Sequence, residues 1–82
     1  MNQQLVGTLT HKGYKAEVFS LKIPGEFRVA YQNSSGETIE EDILAGISSY
    51  KQREHEIEDR LRQLAEGAPP RKTPDLGDAG EY

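Results

Sequence analysis

The stretch "YKAEVFSLKIPGEFRVAYQ", residues 14–32, decides the fold. In its first part Tyr14, Ala16 and Val18 fall on one side of an extended chain, and Lys15 and Glu17 on the other. That is the two-residue period of a half-buried strand. "PGE" at 24–26 interrupts the run, because Pro presets φ for a turn and Gly accepts a positive φ. Phe27, Val29 and Tyr31 then restore the alternation. Strands joined by so short a connection are antiparallel neighbours.

Apolar matching suggests the register. A three-residue loop pairs Ile23 with Phe27, Leu21 with Val29 and Phe19 with Tyr31. A two-residue loop instead pairs Leu21 with Arg28 and Lys22 with Phe27. Apolar cross-strand pairs stabilise by roughly 0.2–1 kcal/mol each, so the first register is expected, with Phe27, Val29 and Tyr31 facing the core. The parity of the apolar residues changes at Val18–Phe19, where Phe19, Leu21 and Ile23 fall on the opposite register from Ala16 and Val18. Either both faces of the strand are covered or a bulge resets the alternation.

Outward from this hairpin, "HKG" at 11–13 and "NSSG" at 33–36 are further turn signals. They delimit strands near residues 4–10, 14–23 and 27–33, with a fourth near 37–43. "EEDILAGI", residues 40–47, fits a strand end or a short helical turn, and Gly46 opposes one continuous helix from residue 40. The helix begins after Ser49, which forms a capping box with Gln52. Its apolar seam is Tyr50, Ile57, Leu61 and Leu64, interrupted by Glu54. That interruption disfavours a long coiled coil, so the seam should lie on Val29, Tyr31 and their neighbours. Glu56–Arg60 and Glu58–Arg62 have the spacing of helical ion pairs, and Gly67 suits the residue past the helix end.

The expected fold class is α+β: an antiparallel meander of three to four strands with one C-terminal helix on one face. Residues 1–66 form a single domain in this reading. Residues 67–82, "GAPPRKTPDLGDAGEY", contain three prolines and three glycines but one large aliphatic residue. Such a segment buries too little to offset its ordering entropy and is expected to be a disordered tail.

Composition narrows the function classes. The chain has 82 residues, no cysteine and a net charge of −4. The absence of cysteine fits a reducing compartment and removes thiolate metal sites. With neither a secretory leader pattern nor a membrane-length apolar run, a cytoplasmic location is expected. Residues 1–35 carry Lys12, Lys15, Lys22 and Arg28 against Glu17 and Glu26, whereas the helix side is acidic. An acidic whole argues against a dedicated DNA binder, which needs clustered Lys and Arg.

No catalytic constellation emerges. His55 and Asp59 stand one helical turn apart, but a metal site needs three or four ligands. The carboxylates Glu40, Glu41 and Asp42, and Glu54, Glu56, Glu58 and Asp59, read as solvated surface. No cofactor is implied. The surface of interest is the side of the sheet away from the helix, where Phe19, Lys15 and Arg28 are the candidate interaction residues. They suit an unidentified protein partner or a homodimer. The alternative is single-stranded RNA, whose bases stack on aromatics flanked by cations.

The run "GYKAEVFSLKIPGEFRVAYQNSSGETI" followed by "GISSYKQREHEIEDRL" resembles small uncharacterised bacterial proteins, cyanobacterial ones among them. The resemblance covers residues 13–61 and implies no activity and no functional residue. "SSGETIEEDI" is also similar to the strand-to-helix junction of small antitoxins. Their aromatic, aspartate- and proline-rich strand signature is missing here, as is a DNA-binding segment after the helix. The expected role is that of a non-catalytic interaction or regulatory module.

Overall fold

The computed structural model describes residues 3–71. Four strands, β1 (Gln4–His11), β2 (Tyr14–Ser20), β3 (Phe27–Gln32) and β4 (Thr38–Leu44), form one antiparallel sheet in chain order. A 3₁₀ turn (Tyr50–Arg53) leads into the helix α1 (Glu54–Ala65). The fold is therefore α+β, and residues 40–44 belong to a strand.

The first hairpin turns tightly at Lys12 and Gly13, both at positive φ (50° and 87°), with His11 opposite Tyr14. This is the type I′ geometry that matches strand twist. The second hairpin departs from the sequence expectation. Val18 pairs with Val29, Ala16 with Tyr31 and Phe19 with Arg28. Leu21, Lys22 and Ile23 leave the sheet, and β2 ends at Ser20 rather than near residue 23. Pro24 and Gly25 do form a turn, with Glu26 N–H donating to the Ile23 carbonyl at 3.1 Å and Gly25 at φ 87°. It sits inside a longer connection, closed by Leu21 N–H donating to the Glu26 carbonyl at 3.0 Å. The apolar residues that suggested a three-residue loop are loop residues, and Ile23 is exposed. Phe27, Val29 and Tyr31 nevertheless face the core.

The parity change at Val18–Phe19 is not a bulge in β2: Phe19 faces outward and Leu21 and Ile23 lie beyond the strand, while the bulge of this hairpin is in β1. Leu5 pairs with Phe19 and Gly7 with Val18, so Val6 is the extra residue of a bulge in β1. β2 keeps its alternation, with Ala16 and Val18 inward and Phe19 outward.

α1 lies across β1 and β2. Ile57, Leu61 and Leu64 are buried against Ala16, Val18, Phe27, Val29, Tyr31 and Leu44. Each such side chain contributes about 1.5–3 kcal/mol when buried. Ser49 and Gln52 cap the helical segment: Ser49 Oγ accepts from Lys51 N–H, and Gln52 Oε1 accepts from Ser48 and Ser49 N–H. Gly67, at φ 105°, closes the other end. Gly67 N–H donates to the Leu64 carbonyl and Ala68 N–H to the Gln63 carbonyl, the paired bonds of a Schellman cap. Tyr50 packs over Gly7, where a Cβ would overlap the Tyr50 hydroxyl and ring.

The helix ion pairs differ from those suggested by spacing. Arg53 pairs with Glu56 and Arg62 with Asp59, whereas Arg60 reaches across to Glu40 on β4. Residues 67–71, the start of the expected tail, are tied to the body through Pro69 and Arg71. The rest of that expected tail, residues 72–82, lies outside the described residues.

Candidate functional site

Residues directly opposite on antiparallel strands share a face, so the register orders the outer side of the sheet into rows. The first row runs Leu5, Phe19, Arg28, Ile43 across β1 to β4. The second runs Thr8, Glu17, Ala30, Glu41. Thr10, Lys15, Gln32 and Thr38 form the third. No described element covers this face.

The three residues singled out from the sequence, Phe19, Lys15 and Arg28, all lie on it. Phe19 and Arg28 are cross-strand partners, and the guanidinium carbon stands 4.7 Å from the ring centroid. Arg28 also donates to Glu41 at 3.0 Å and to Gln3 at 3.0 Å. The cation is thus held over the ring, and Phe19 is half-buried. Lys15 lies two rungs away beside Glu17, at 3.6 Å. The face therefore brings Phe19 and Arg28 together and keeps Lys15 apart.

Sequence reasoning missed the ends of the first row. Leu5 is 50% exposed and Ile43 45% exposed, and they flank the Phe19–Arg28 stack. Val6 at the bulge and Ile23 in the β2–β3 connection add exposed apolar surface at the same end of the sheet. Scattered exposed aliphatics are ordinary; here two of them stand at the ends of one row, with the Phe19–Arg28 pair between them.

The opposite face holds a second polar feature. Glu40 is cross-strand partner of Tyr31 on the core side and only 1% exposed. Arg60 grips its carboxylate with two bonds, of 2.7 and 2.9 Å. Arg71 adds its backbone N–H at 2.8 Å and two side-chain bonds at 3.0 and 3.2 Å. Burial alone would raise the Glu40 pKa, but the hydrogen bonds from Arg60 and Arg71 outweigh it and hold the carboxylate below its ordinary value. Tyr31 is pushed well above the ordinary phenol value by burial first, then by the negative charges of Asp42 and Glu40. A fully ligated carboxylate of this kind closes the sheet onto the helix. It has no lone pair directed at a substrate.

A shallow groove of about 340 Å³ lies between the end of β1 and α1, lined by Leu9, Thr10, His11, Glu58, Asp59, Leu61 and Arg62. His11 Nε2 is buried there without a hydrogen-bond partner among the described residues. Across those residues no three His, Asp or Glu side chains converge as metal ligands. No described helix is long and apolar enough to cross a membrane.

No family model, curated protein or solved structure matches the chain.

Proposed function

We propose that the protein is a non-catalytic protein-binding module of the cytoplasm, and that its working surface is the outer face of the sheet. The observation that carries this reading is the first row, in which two half-exposed aliphatic residues flank an arginine-capped aromatic ring on a rigid, uncovered sheet. Tyr, Phe and Arg are the residue types enriched at the centres of protein interfaces. Rigid strands also limit the entropy lost on docking. Absence of cysteine fits the reducing compartment.

Single-stranded RNA binding finds less support on the same face. The guanidinium of Arg28 is engaged by Glu41 and Phe19, and Lys15 lies beside Glu17. The face therefore offers a phosphate backbone little unpaired positive charge.

The test is capture from host lysate with tagged wild-type chain and with the Leu5→Asp and Phe19→Ser variants, each half nuclease-treated. The reading expects a protein retained by the wild type in both halves and lost by both variants. Retention that disappears with nuclease would favour RNA. Retention undiminished in both variants would refute the proposed face.

A further inference from the structure

We propose that residues 69–71 form a strap that leaves the body and returns as a unit, with Arg71 as its clasp on Glu40 and the rest of the fold intact while the strap is open. The strap lies on the helix side of the sheet, so it stands apart from the outer face.

The polar groups of the segment carry the proposal. Gly67 N–H and Ala68 N–H are bonded to the carbonyls of Leu64 and Gln63, so the helix end is closed before the strap begins. Pro69 and Pro70 follow, and proline has no N–H to donate. Arg71 N–H is therefore the only backbone donor of the strap, and it goes to Glu40 Oε1 at 2.8 Å. The Arg71 guanidinium adds bonds of 3.2 and 3.0 Å to Glu40 Oε2. Arg60 donates to the Pro69 carbonyl at 3.1 Å. Apolar burial adds little, since Pro69, Pro70 and Arg71 are all exposed.

What remains after release makes the opening local. Arg60 holds Glu40 through Nε at 2.9 Å and Nη2 at 2.7 Å, one bond to each carboxylate oxygen, and its Nη1 donates to Gln63. The buried carboxylate thus keeps a charge-assisted fork when Arg71 departs. It never becomes an unpaired buried charge, the state whose cost would tie the strap to the whole fold. Arg71, already 59% exposed, completes its hydration. Two consecutive prolines keep the freed segment stiff, so opening gains little backbone entropy and the strap closes again. Opening frees an acceptor position on each Glu40 oxygen. The strap therefore sets whether this carboxylate is saturated or free to accept another donor.

Bonds to a charged group at a partly exposed site favour the closed form by about 10- to 100-fold. Amides that exchange only on global unfolding are protected by about 10³ or more.

The experiment is native-state hydrogen exchange of the full wild-type chain, read by NMR at single amides across sub-denaturing urea. The Arg71 amide should be protected about 10- to 100-fold at a rate indifferent to urea, because its opening exposes little new surface. The amides of Val29 and Leu61, buried in β3 and α1, should exchange faster as urea rises, with the slope of global unfolding. In Arg71→Ala the residue-71 amide should lose about fivefold of its protection. A global-unfolding slope at Arg71 overturns the strap, since the segment then opens only with the fold. An unprotected Arg71 amide, or protection undiminished in Arg71→Ala, overturns the clasp. An arginine-specific endoprotease gives a second readout on the folded protein, because cutting after Arg71 requires its guanidinium to leave Glu40. Cleavage after Arg71 with residues 1–71 remaining whole is expected. Cleavage after Arg60 and Arg62 at the same rate overturns the proposal.

Discussion

Replacing Glu40 by Gln removes the charge to which β4, α1 and residue 71 are all bound. The side chain is 1% exposed, so water cannot replace what is lost. Gln keeps one acceptor oxygen and turns an NH₂ toward guanidinium donors. Arg60 is only 14% exposed and is left as a largely desolvated, unpaired cation, whereas Arg71, 59% exposed, can hydrate. Breaking a buried pair by removing one partner costs about 3–5 kcal/mol. With one of the two arginines solvated, the lower end applies, about 3 kcal/mol. For a domain of this size each kcal/mol shifts Tm by roughly 4–8 °C, giving a fall of roughly 12–24 °C. Arg71→Ala should cost about 1 kcal/mol, because Arg60 still satisfies the carboxylate. Urea and thermal unfolding followed by circular dichroism measure both variants. The pH profile adds a sign. A carboxylate held below its ordinary value stabilises the fold above about pH 4.3 and loses that contribution as the pH falls further. Wild type should therefore lose stability on acidification more steeply than Glu40→Gln. A Glu40→Gln protein within about 0.5 kcal/mol of wild type at pH 7, as a surface change would be, with the same acid slope, refutes the reasoning.

Three further outcomes are expected. Gly7→Ala overpacks against Tyr50 and should cost about 1–3 kcal/mol, and Tyr50→Ala in the same chain should recover part of that loss in urea unfolding. Leu61→Ala empties a core position and should cost about 2–5 kcal/mol, while Ile43→Ala on the open face should stay within about 0.5 kcal/mol; equal costs would mean the faces are misassigned. Gln52→Ala opens the capping box and should cost about 1 kcal/mol, read from the urea midpoint.

The fold class was legible because its signals are local. Alternation marked β2 and β3, turn residues separated the strands, and the seam Ile57, Leu61, Leu64 marked a helix with one partner face. The β2–β3 register was not legible, because Leu21 and Ile23 continue an apolar pattern after the chain has left the sheet. Matching apolar residues also assumed that Phe19 needs an apolar partner, whereas its neighbour is the cation Arg28. Glu40, read from the sequence as solvated surface, is buried, although the sequence holds a partial signal of it. Counting back by twos from inward Leu44 puts Asp42 and Glu40 on the core side, which separates them from outward Glu41. That count requires residues 40–44 to be a strand, which their sequence left open. The grip of Arg71 had no signal, since it joins Glu40 on β4 to a proline-rich segment far along the chain. Phe19, Lys15 and Arg28 were placed on one face by parity alone, and only the observed register shows that Leu5 and Ile43 complete the row.

Glu40 and Tyr31 are neighbours across β3 and β4, and their ionisation states are constrained in opposite senses. The carboxylate must stay charged, while the phenol, with its raised pKa, must stay neutral. Above the ordinary phenol value, about 10, an unfolded chain releases the Tyr31 proton that the native chain retains. Alkali therefore favours unfolding through this phenol, with its contribution lost as the pH rises. Acid favours unfolding through the carboxylate beside it. Acid and alkali thus both act on one cross-strand pair, in opposite senses on its two members.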